Sequence, residues 1–563
     1  MVVALLAPGT AASGPPYGMK NETYVVPTRH GDVYVEVVRP VDGAGNTVRA
    51  PAIFTLSPYS ILGRNGDASR FVPRGYARVW ADVVGTGNSG GCYDYGGTRE
   101  KESGYDLVEW IARQPWSTGK VGMIGGSYNG TTANATAVMR PPHLTTIIPE
   151  AAISRWYHYA YSGGIRYFDN TENPSDEGVD TPLGFDFGFA IPPPLDATDP
   201  LWAERVKSTI TPCEELAHTT HGYDDTPDYD AFWLERDYVV DAPRIKIPVL
   251  VAFNWGDWNV KQENSINFYR ALTGSVNRKL YAGTRWQGHG TPGGDFQTTV
   301  DAWFDHYLLG VPNGIEKMPD VHSQMSTYDG PAAWYAGSWP KTTNVTLFPQ
   351  HASAAEYPWR LLPSSPRATA TSPQATFLST GRNTETYANT NPRANDGWLW
   401  FETPRLAQDV RIFGEVRVLL WSTVNRTWIT YTPTIVDVDP AQRLLGPGLA
   451  LALDTQGQYS ATRGWLDTRY RQSLATQTLI DPGQPFGTTI VEKPQDYTFK
   501  KGHFIGLNVQ TEINDWSLPK VYSVCTSVVC NTVRVNWEKG ETTVTLPIVN
   551  APRTPAALFD SAS

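Results

Sequence analysis

The segment Gly122-Met123-Ile124-Gly125-Gly126-Ser127-Tyr128-Asn129-Gly130 constrains this 563-residue chain more than any other. An apolar run, Val121 to Ile124, stops at two glycines and a serine. A small-residue stretch from Thr131 to Met139 then reads as a helix. A strand that turns at once into a helix needs glycines, because the turn is strained and its neighbours pack closely. Such a turn lifts the Ser127 hydroxyl clear of the sheet. It also aims the following N–H groups at one point, beside a helix N-terminus. This is the setting of a nucleophile elbow. The same residues would also suit a glycine-rich turn with an incidental serine, so the segment alone leaves catalysis open.

The surrounding pattern supplies a sheet for the turn. Val33, Val35 and Val37 alternate with Tyr34, Glu36 and Val38 and predict an early strand. Pro51 to Leu56, Tyr76 to Val84, Thr146 to Pro149, Val249 to Phe253 and Lys279 to Ala282 predict further strands. Tyr105 to Gln114 predicts a helix with Leu107, Val108, Ile111 and Ala112 on one face. Strands alternating with helices imply a parallel sheet. The pattern breaks over 154–243, which is rich in aromatics, Pro and acid. That stretch is expected to be a cap or lid inserted over the sheet edge where such folds bind ligands.

Beyond about residue 315 helical patterns become scarce. Short β runs take over, at Gly414 to Trp421, Trp428 to Val438, Phe504 to Gln510, Val533 to Trp537 and Thr543 to Val549. The expected organisation is an α/β domain over 20–153 and 244–315, the cap over 154–243, and an all-β sandwich or jelly-roll domain over 316–563.

A net charge of −10 and the lack of a basic stripe argue against a nucleic-acid partner. No apolar stretch reaches the length of a membrane span. Residues 1–19 read as a signal that lacks its basic start, or as a flexible tail. Met1 to Pro8 is apolar and Thr10 to Gly14 small and polar, which leads us to expect export. The four cysteines fit that compartment. Cys525 and Cys530 are close enough in sequence for a local disulfide, leaving Cys92 and Cys213, but three connectivities are open. His218 and His221 form an isolated H-x-x-H without a third ligand, and Gly85-Thr86-Gly87 lacks the Lys of a P-loop, so no metal or cofactor is expected.

A serine nucleophile needs a base, and the base an orienting acid. Asp257 follows the Val249–Phe253 strand, in the loop Asn254-Trp255-Gly256-Asp257-Trp258. His289 follows the next strand, in Gly283-Thr284-Arg285-Trp286-Gln287-Gly288-His289. Ser127, Asp257 and His289 thus each stand where a strand gives out into a loop, in the chain order of the α/β-hydrolase fold. The expected oxyanion donors are the Tyr128 backbone N–H and the hydroxyl of Tyr59.

These residues carry a family resemblance. Gly125 to Gly130 resembles the G-x-S-Y-x-G elbow of the Xaa-Pro dipeptidyl-peptidase and cocaine-esterase group, peptidase family S15. Ser57-Pro58-Tyr59 resembles its oxyanion segment, and Asp82 to Gly91 its D-x-R-G-x-G-x-S-x-G loop. Ile153-Ser154-Arg155-Trp156-Tyr157-His158-Tyr159, Phe232 to Val239 and Gly256-Asp257-Trp258-Asn259-Val260-Lys261 are similar to segments of the dipeptidyl-peptidase branch. Val84 stands where the family has Arg. The His loop reads Trp286-Gln287-Gly288-His289, nearer Q-G-x-H than the esterase G-P-W-x-H, which favours peptide over ester substrates.

The resemblance implies a serine exopeptidase that releases N-terminal Xaa-Pro dipeptides, with a galactose-binding-like C-terminal jelly roll. A proline ring needs an aromatic slot, for which Trp156, Tyr157 and Trp258 are the candidates. The substrate amine needs an acid, for which Asp169, Glu172, Asp176, Glu177 and Asp180 of the cap are available. The expected partners are proline-containing peptides or small amide or ester substrates, with neither nucleic acid nor membrane, and a homodimer as a candidate assembly. The competing readings are an acyl or α-amino-acid ester hydrolase on the same fold, and an inactive glycan-binding protein.

Overall fold

The computed structural model describes residues 17–59, 67–167, 227–350, 359–365, 375–379, 398–440, 460–511, 531–536 and 542–560. The first domain is built on one mixed sheet. Strands β1 (Gly18–Thr28) and β2 (Gly31–Val41) form an antiparallel hairpin, and β2 runs antiparallel to β4 (Ala77–Asp82). From there the sheet is parallel. It continues through β3 (Ala50–Ser57), β5 (Ser117–Gly126), β6 (Leu144–Glu150), β9 (Val249–Asn254), β10 (Arg278–Gly283) and β11 (Val321–Thr327). The last neighbour, β12 (Gly330–Gly337), is antiparallel. Between β6 and β9 in the chain lies a two-residue pair, β7 (Tyr161–Ser162) and β8 (Ile165–Arg166), outside this sheet.

Burial follows from layering. All eight residues of β3 are buried, because a central parallel strand is covered on both faces. In β2, Val33, Val35 and Val37 are buried while Tyr34 and Glu36 are partly exposed, as the alternation predicts. Helices α2 (Thr98–Ala112), α3 (Tyr128–Met139) and α7 (Gln262–Ala271) join the core on one face through Leu107, Ala133 and Phe268. On the other face Phe71 of α1 (Ala68–Phe71) and Trp303 and Phe304 of α8 (Phe296–Phe304) pack on Ile53 and Ile148.

Three boundaries differ from expectation. Residues 18–28 form β1, placed by register against β2, so the strand begins at Gly18, inside the expected 1–19 tail. Helix α2 begins at Thr98, seven residues early, because its first turn is polar and carries no apolar period. Strands β11 and β12, read as part of the β domain, extend the first sheet through the β10–β11 pairing.

The described part of the 154–243 insertion includes α4 (Trp156–Ala160), the β7–β8 pair, α5 (Ala231–Glu235) and α6 (Tyr238–Asp241). The side chains of Asp230 and Asp237 cap α5 and α6 by accepting backbone N–H bonds. The cap acids Asp169, Glu172, Asp176, Glu177 and Asp180 and the pair His218 and His221 lie outside the described residues, as do residues 1–16, Cys213, Cys525 and Cys530. The described residues contain no free thiol and no cluster of three His, Cys, Asp or Glu able to hold a metal. None of their helices is long and apolar enough to cross a membrane.

The C-terminal domain is a separate β structure with its own core, formed by residues such as Leu399, Ile412, Val418, Ile435, Leu507 and Leu546. Its strands form two groups. One pairs Thr342–Gln350, Thr543–Val549, Arg417–Val424 and Pro485–Val491, and the other pairs Trp398–Glu402, Phe504–Gln510 and Thr430–Val438. The expected run from Gly414 to Trp421 is broken between Gly414, at φ +112°, and Arg417.

Polar contacts tie this domain to the first. Lys493 Nζ lies 2.7 Å from Glu263 Oε1 at a shielded junction. Gln495 Nε2 donates to Trp255 O at 3.1 Å, and Arg285 Nη2 donates to Ser460 O at 2.6 Å. Removing one partner of a shielded pair strands the other charge. Lys493→Met should therefore lower stability by about 3 kcal/mol, and adding Glu263→Leu should recover much of that loss. Urea denaturation of the two variants checks this.

Candidate active site

Parallel strands put all their C-terminal ends on one edge, and the predicted site residues follow those ends. Tyr59 comes after β3, Ser127 after β5, Asp257 after β9 and His289 after β10. Ser127 has φ +58° and ψ −128°, a region that non-glycine residues rarely enter. Two glycines make this turn possible. A Cβ on Gly125 would lie 2.4 Å from Asn129 Cβ, and one on Gly130 would lie 2.6 Å from Gly125 O and 2.9 Å from Glu150 N. Gly126 has nothing within 4 Å of such an atom, so the second glycine of the pair is not sterically required.

Ser127 stands at the N-cap of α3, where its carbonyl accepts the N–H groups of Gly130 and Thr131 at 3.0 Å. The Tyr59 hydroxyl lies 3.1 Å from Ser127 Oγ, and the Tyr128 N–H points at the Tyr59 oxygen at 3.3 Å. The two expected oxyanion donors and the serine oxygen thus converge. Asp257 is 2% exposed and its Oδ1 accepts the Val260 N–H at 3.0 Å. Its Oδ2 lies 3.1 Å from His289 Nδ1. An ionised carboxylate only accepts, so Nδ1 carries the proton in this contact and Nε2 is the nitrogen left basic.

Ser127 and His289 follow strands three places apart, ~14 Å at the level of the sheet. The His loop is tied back across that gap to the end of β6, the strand next to the elbow. Thr291 Oγ1 donates to Glu150 Oε2 at 2.9 Å, and the Glu150 carbonyl accepts the Ser127 N–H at 2.9 Å. Glu150 therefore joins the elbow to the His loop. Its carboxyl is buried, and that burial raises it to about 7 against a weaker lowering by Thr291 and Arg70. Glu100, on α2, accepts the Tyr128 hydroxyl at 2.8 Å and is raised to about 8, first by burial and then by Asp94. Neither residue was singled out from sequence. Glu150 had one available signal, its place as the last residue of a strand on the catalytic edge.

The residues expected to form the proline slot differ in burial. Trp156 and Tyr157 are fully buried and their faces are occupied. Trp156 packs edge-on against Tyr128, Tyr95 and Tyr159 and donates Nε1–H to the Tyr238 hydroxyl at 3.0 Å. Tyr157 stacks on Tyr161 and donates to Pro227 O at 2.7 Å. Trp156 thus backs Tyr128 of the elbow, whereas Tyr157 packs on Tyr229 and Trp233 within the cap. Trp258, half-buried next to Asp257, lies against the Arg463 guanidinium at 4.1 Å and edge-on to Trp465. Val84, in the place of the family's Arg, is buried with Gly91 packed on it, so this loop is apolar where the family pattern has a charge.

The fold and the elbow define a serine hydrolase of the α/β-hydrolase class. The family pattern described as X-Pro dipeptidyl-peptidase (S15 family) matches residues 31–289, and that of the X-Pro dipeptidyl-peptidase C-terminal non-catalytic domain matches residues 313–546. A putative Xaa-Pro dipeptidyl-peptidase of Bacillus anthracis is 29% identical, over 88% of this chain and 83% of its own length. One of Streptomyces avermitilis is 28% identical, over 90% and 83%. Among solved structures, a CocE/NonD family hydrolase from Staphylococcus aureus superposes with a TM-score of 0.70 at 18% identity, over 94% of each chain. An α-amino acid ester hydrolase superposes with 0.68 at 19% identity, over 96% of this chain and 98% of that one. The chain thus carries, in this order, a region that matches the X-Pro dipeptidyl-peptidase (S15) pattern and one that matches its C-terminal non-catalytic domain.

The raised carboxyls carry a pH signature. Their folded values lie above the ordinary 4.5, so the fold favours their neutral forms. The stability this confers is whole below pH 4.5 and is lost as pH rises through about 7 for Glu150 and about 8 for Glu100. Glu150→Gln should raise the melting temperature over the parent by an amount that grows from pH 4.5 to 7 and is flat above. Thermal unfolding across that range checks the shape. A difference independent of pH would contradict it.

Proposed function

We propose that this chain is a serine exopeptidase that releases N-terminal Xaa-Pro dipeptides from peptides through an acyl-enzyme. The observation that carries the reading is the convergence of Tyr59, the Tyr128 N–H and Ser127 Oγ at a strained helix N-terminus, in a chain that matches this family's patterns. In the first step Ser127 Oγ attacks the carbonyl carbon of the penultimate proline while His289 Nε2 takes the hydroxyl proton. The new oxyanion takes hydrogen bonds from the Tyr59 hydroxyl and the Tyr128 N–H. The Tyr59 hydroxyl must turn from Ser127 Oγ to do so. Collapse breaks the C–N bond, and the imidazolium gives its proton to the leaving amine. Water then repeats the sequence on the ester and frees the dipeptide and Ser127.

Asp257 holds the imidazole in the tautomer with Nδ1 protonated and stabilises the cation. Trp258, beside that acid and backed by Arg463, is the aromatic surface proposed for substrate. Acyl transfer of this kind needs no cofactor.

The test is a panel of free and N-acetylated Xaa-Pro chromogenic amides together with aryl esters. The free amides should be cleaved and the acetylated ones resist. Ser127→Ala should fold normally and lose nearly all activity, and Tyr59→Phe should lower kcat by about 10²-fold. Cleavage of esters alone would move the reading to an ester hydrolase, and full activity in Ser127→Ala would overturn the mechanism.

We propose in addition that the protein is exported and forms disulfides outside the cell. The apolar stretch Met1 to Pro8 followed by Thr10 to Gly14 supports this. Protein recovered from culture medium should begin downstream of that stretch on N-terminal sequencing. Cytosolic protein with Met1 intact would count against export.

A further inference from the structure

The His289 loop is held from beneath by a side chain outside the proposed triad. Asn254 is the last residue of β9 and is 1% exposed. Its Nδ2 donates to Gly288 O at 3.0 Å and to Gly290 O at 3.1 Å. These are the carbonyls on either side of His289, and they use both N–H groups of the amide. The Asn254 Oδ1 is buried with no donor on it. That is a cost to the fold which stability does not explain, whereas two bonds to one loop do.

The local backbone is shaped around this contact. Gly283 faces Asn254 across the β9–β10 pair, and a Cβ there would lie 2.0 Å from Oδ1. Gly290 sits at φ +142°, a conformation that favours glycine. Asp257 bonds the imidazole ring of this loop and not its backbone. The Thr291 bond to Glu150 tethers the loop beyond the histidine. Asn254 alone, among the described contacts, grips both flanking carbonyls.

We propose that Asn254 is a positioning residue of the reaction, which fixes the backbone on both sides of His289 so that Nε2 is delivered to Ser127 in register. This rests on His289 as the base. The test uses Asn254→Asp, which keeps the shape but offers no N–H as a carboxylate, and Gly283→Ala, which displaces the amide without altering it. Active sites are counted with a fluorophosphonate, and kcat and KM are measured on a free Xaa-Pro amide.

Both variants should lose about 10²-fold in kcat per titrated site, the loss expected for a base displaced by about 1 Å, while KM stays within about threefold. Normal kcat per site with fewer sites would mean a purely structural role and would overturn the proposal. So would failure of both variants to fold. His289→Ala runs alongside. Activity in that variant removes the assignment of the base itself, while a dead His289→Ala beside unimpaired Asn254→Asp and Gly283→Ala removes this inference alone.

Discussion

The geometry of the site depends on how closely two loop backbones approach each other. A Cβ on Gly256 would lie 2.0 Å from Arg285 O and 2.6 Å from Gln287 O, so the loop after β9 and the loop after β10 touch main chain to main chain. Only that contact lets an acid as short as Asp257 reach His289 while staying buried. The same closeness puts Asn254 under the loop and leaves its amide within reach of two carbonyls. A side chain at Gly256 would force the loops apart and undo both arrangements at once.

Around this contact the other parts act as braces. The cap contributes Arg236, whose guanidinium donates to Asp94 O and Tyr95 O, and Trp156, packed on Tyr128. The β domain contributes Gln495 on the Trp255 carbonyl and the Ser460 carbonyl on Arg285. One bond therefore holds the loop of the acid and the other the loop of the histidine. The second domain is in this sense part of the scaffold of the site, although its residues lie more than a hundred positions away in the chain.

The sequence made the elbow, the order Ser127, Asp257, His289 and the pairing of strands with helices legible, because each leaves a local trace. An apolar run ending in small residues marks a parallel strand and its loop whatever surrounds it. The depth of Trp156 and Tyr157 left no such trace. An aromatic beside a family motif reads the same whether it lines a slot or fills a core, and here the cap helices bury it. Glu100 left no trace either, and Glu150 left only its place at a strand end. A carboxyl raised by burial is spelled like any surface glutamate, and its environment comes from elements remote in sequence.

Local chemistry in the sequence thus determined which residues stand at strand ends and that a glycine-rich turn carries Ser127, and it carried the family resemblance. The tertiary structure alone decided how those ends are connected. It set Glu150 between the elbow and the His loop, Asn254 beneath His289, and β11 and β12 on the first sheet. Hydrogen bonds and burial between segments far apart in the chain depend on the order in which strands pack. Spacing along the sequence does not encode that order.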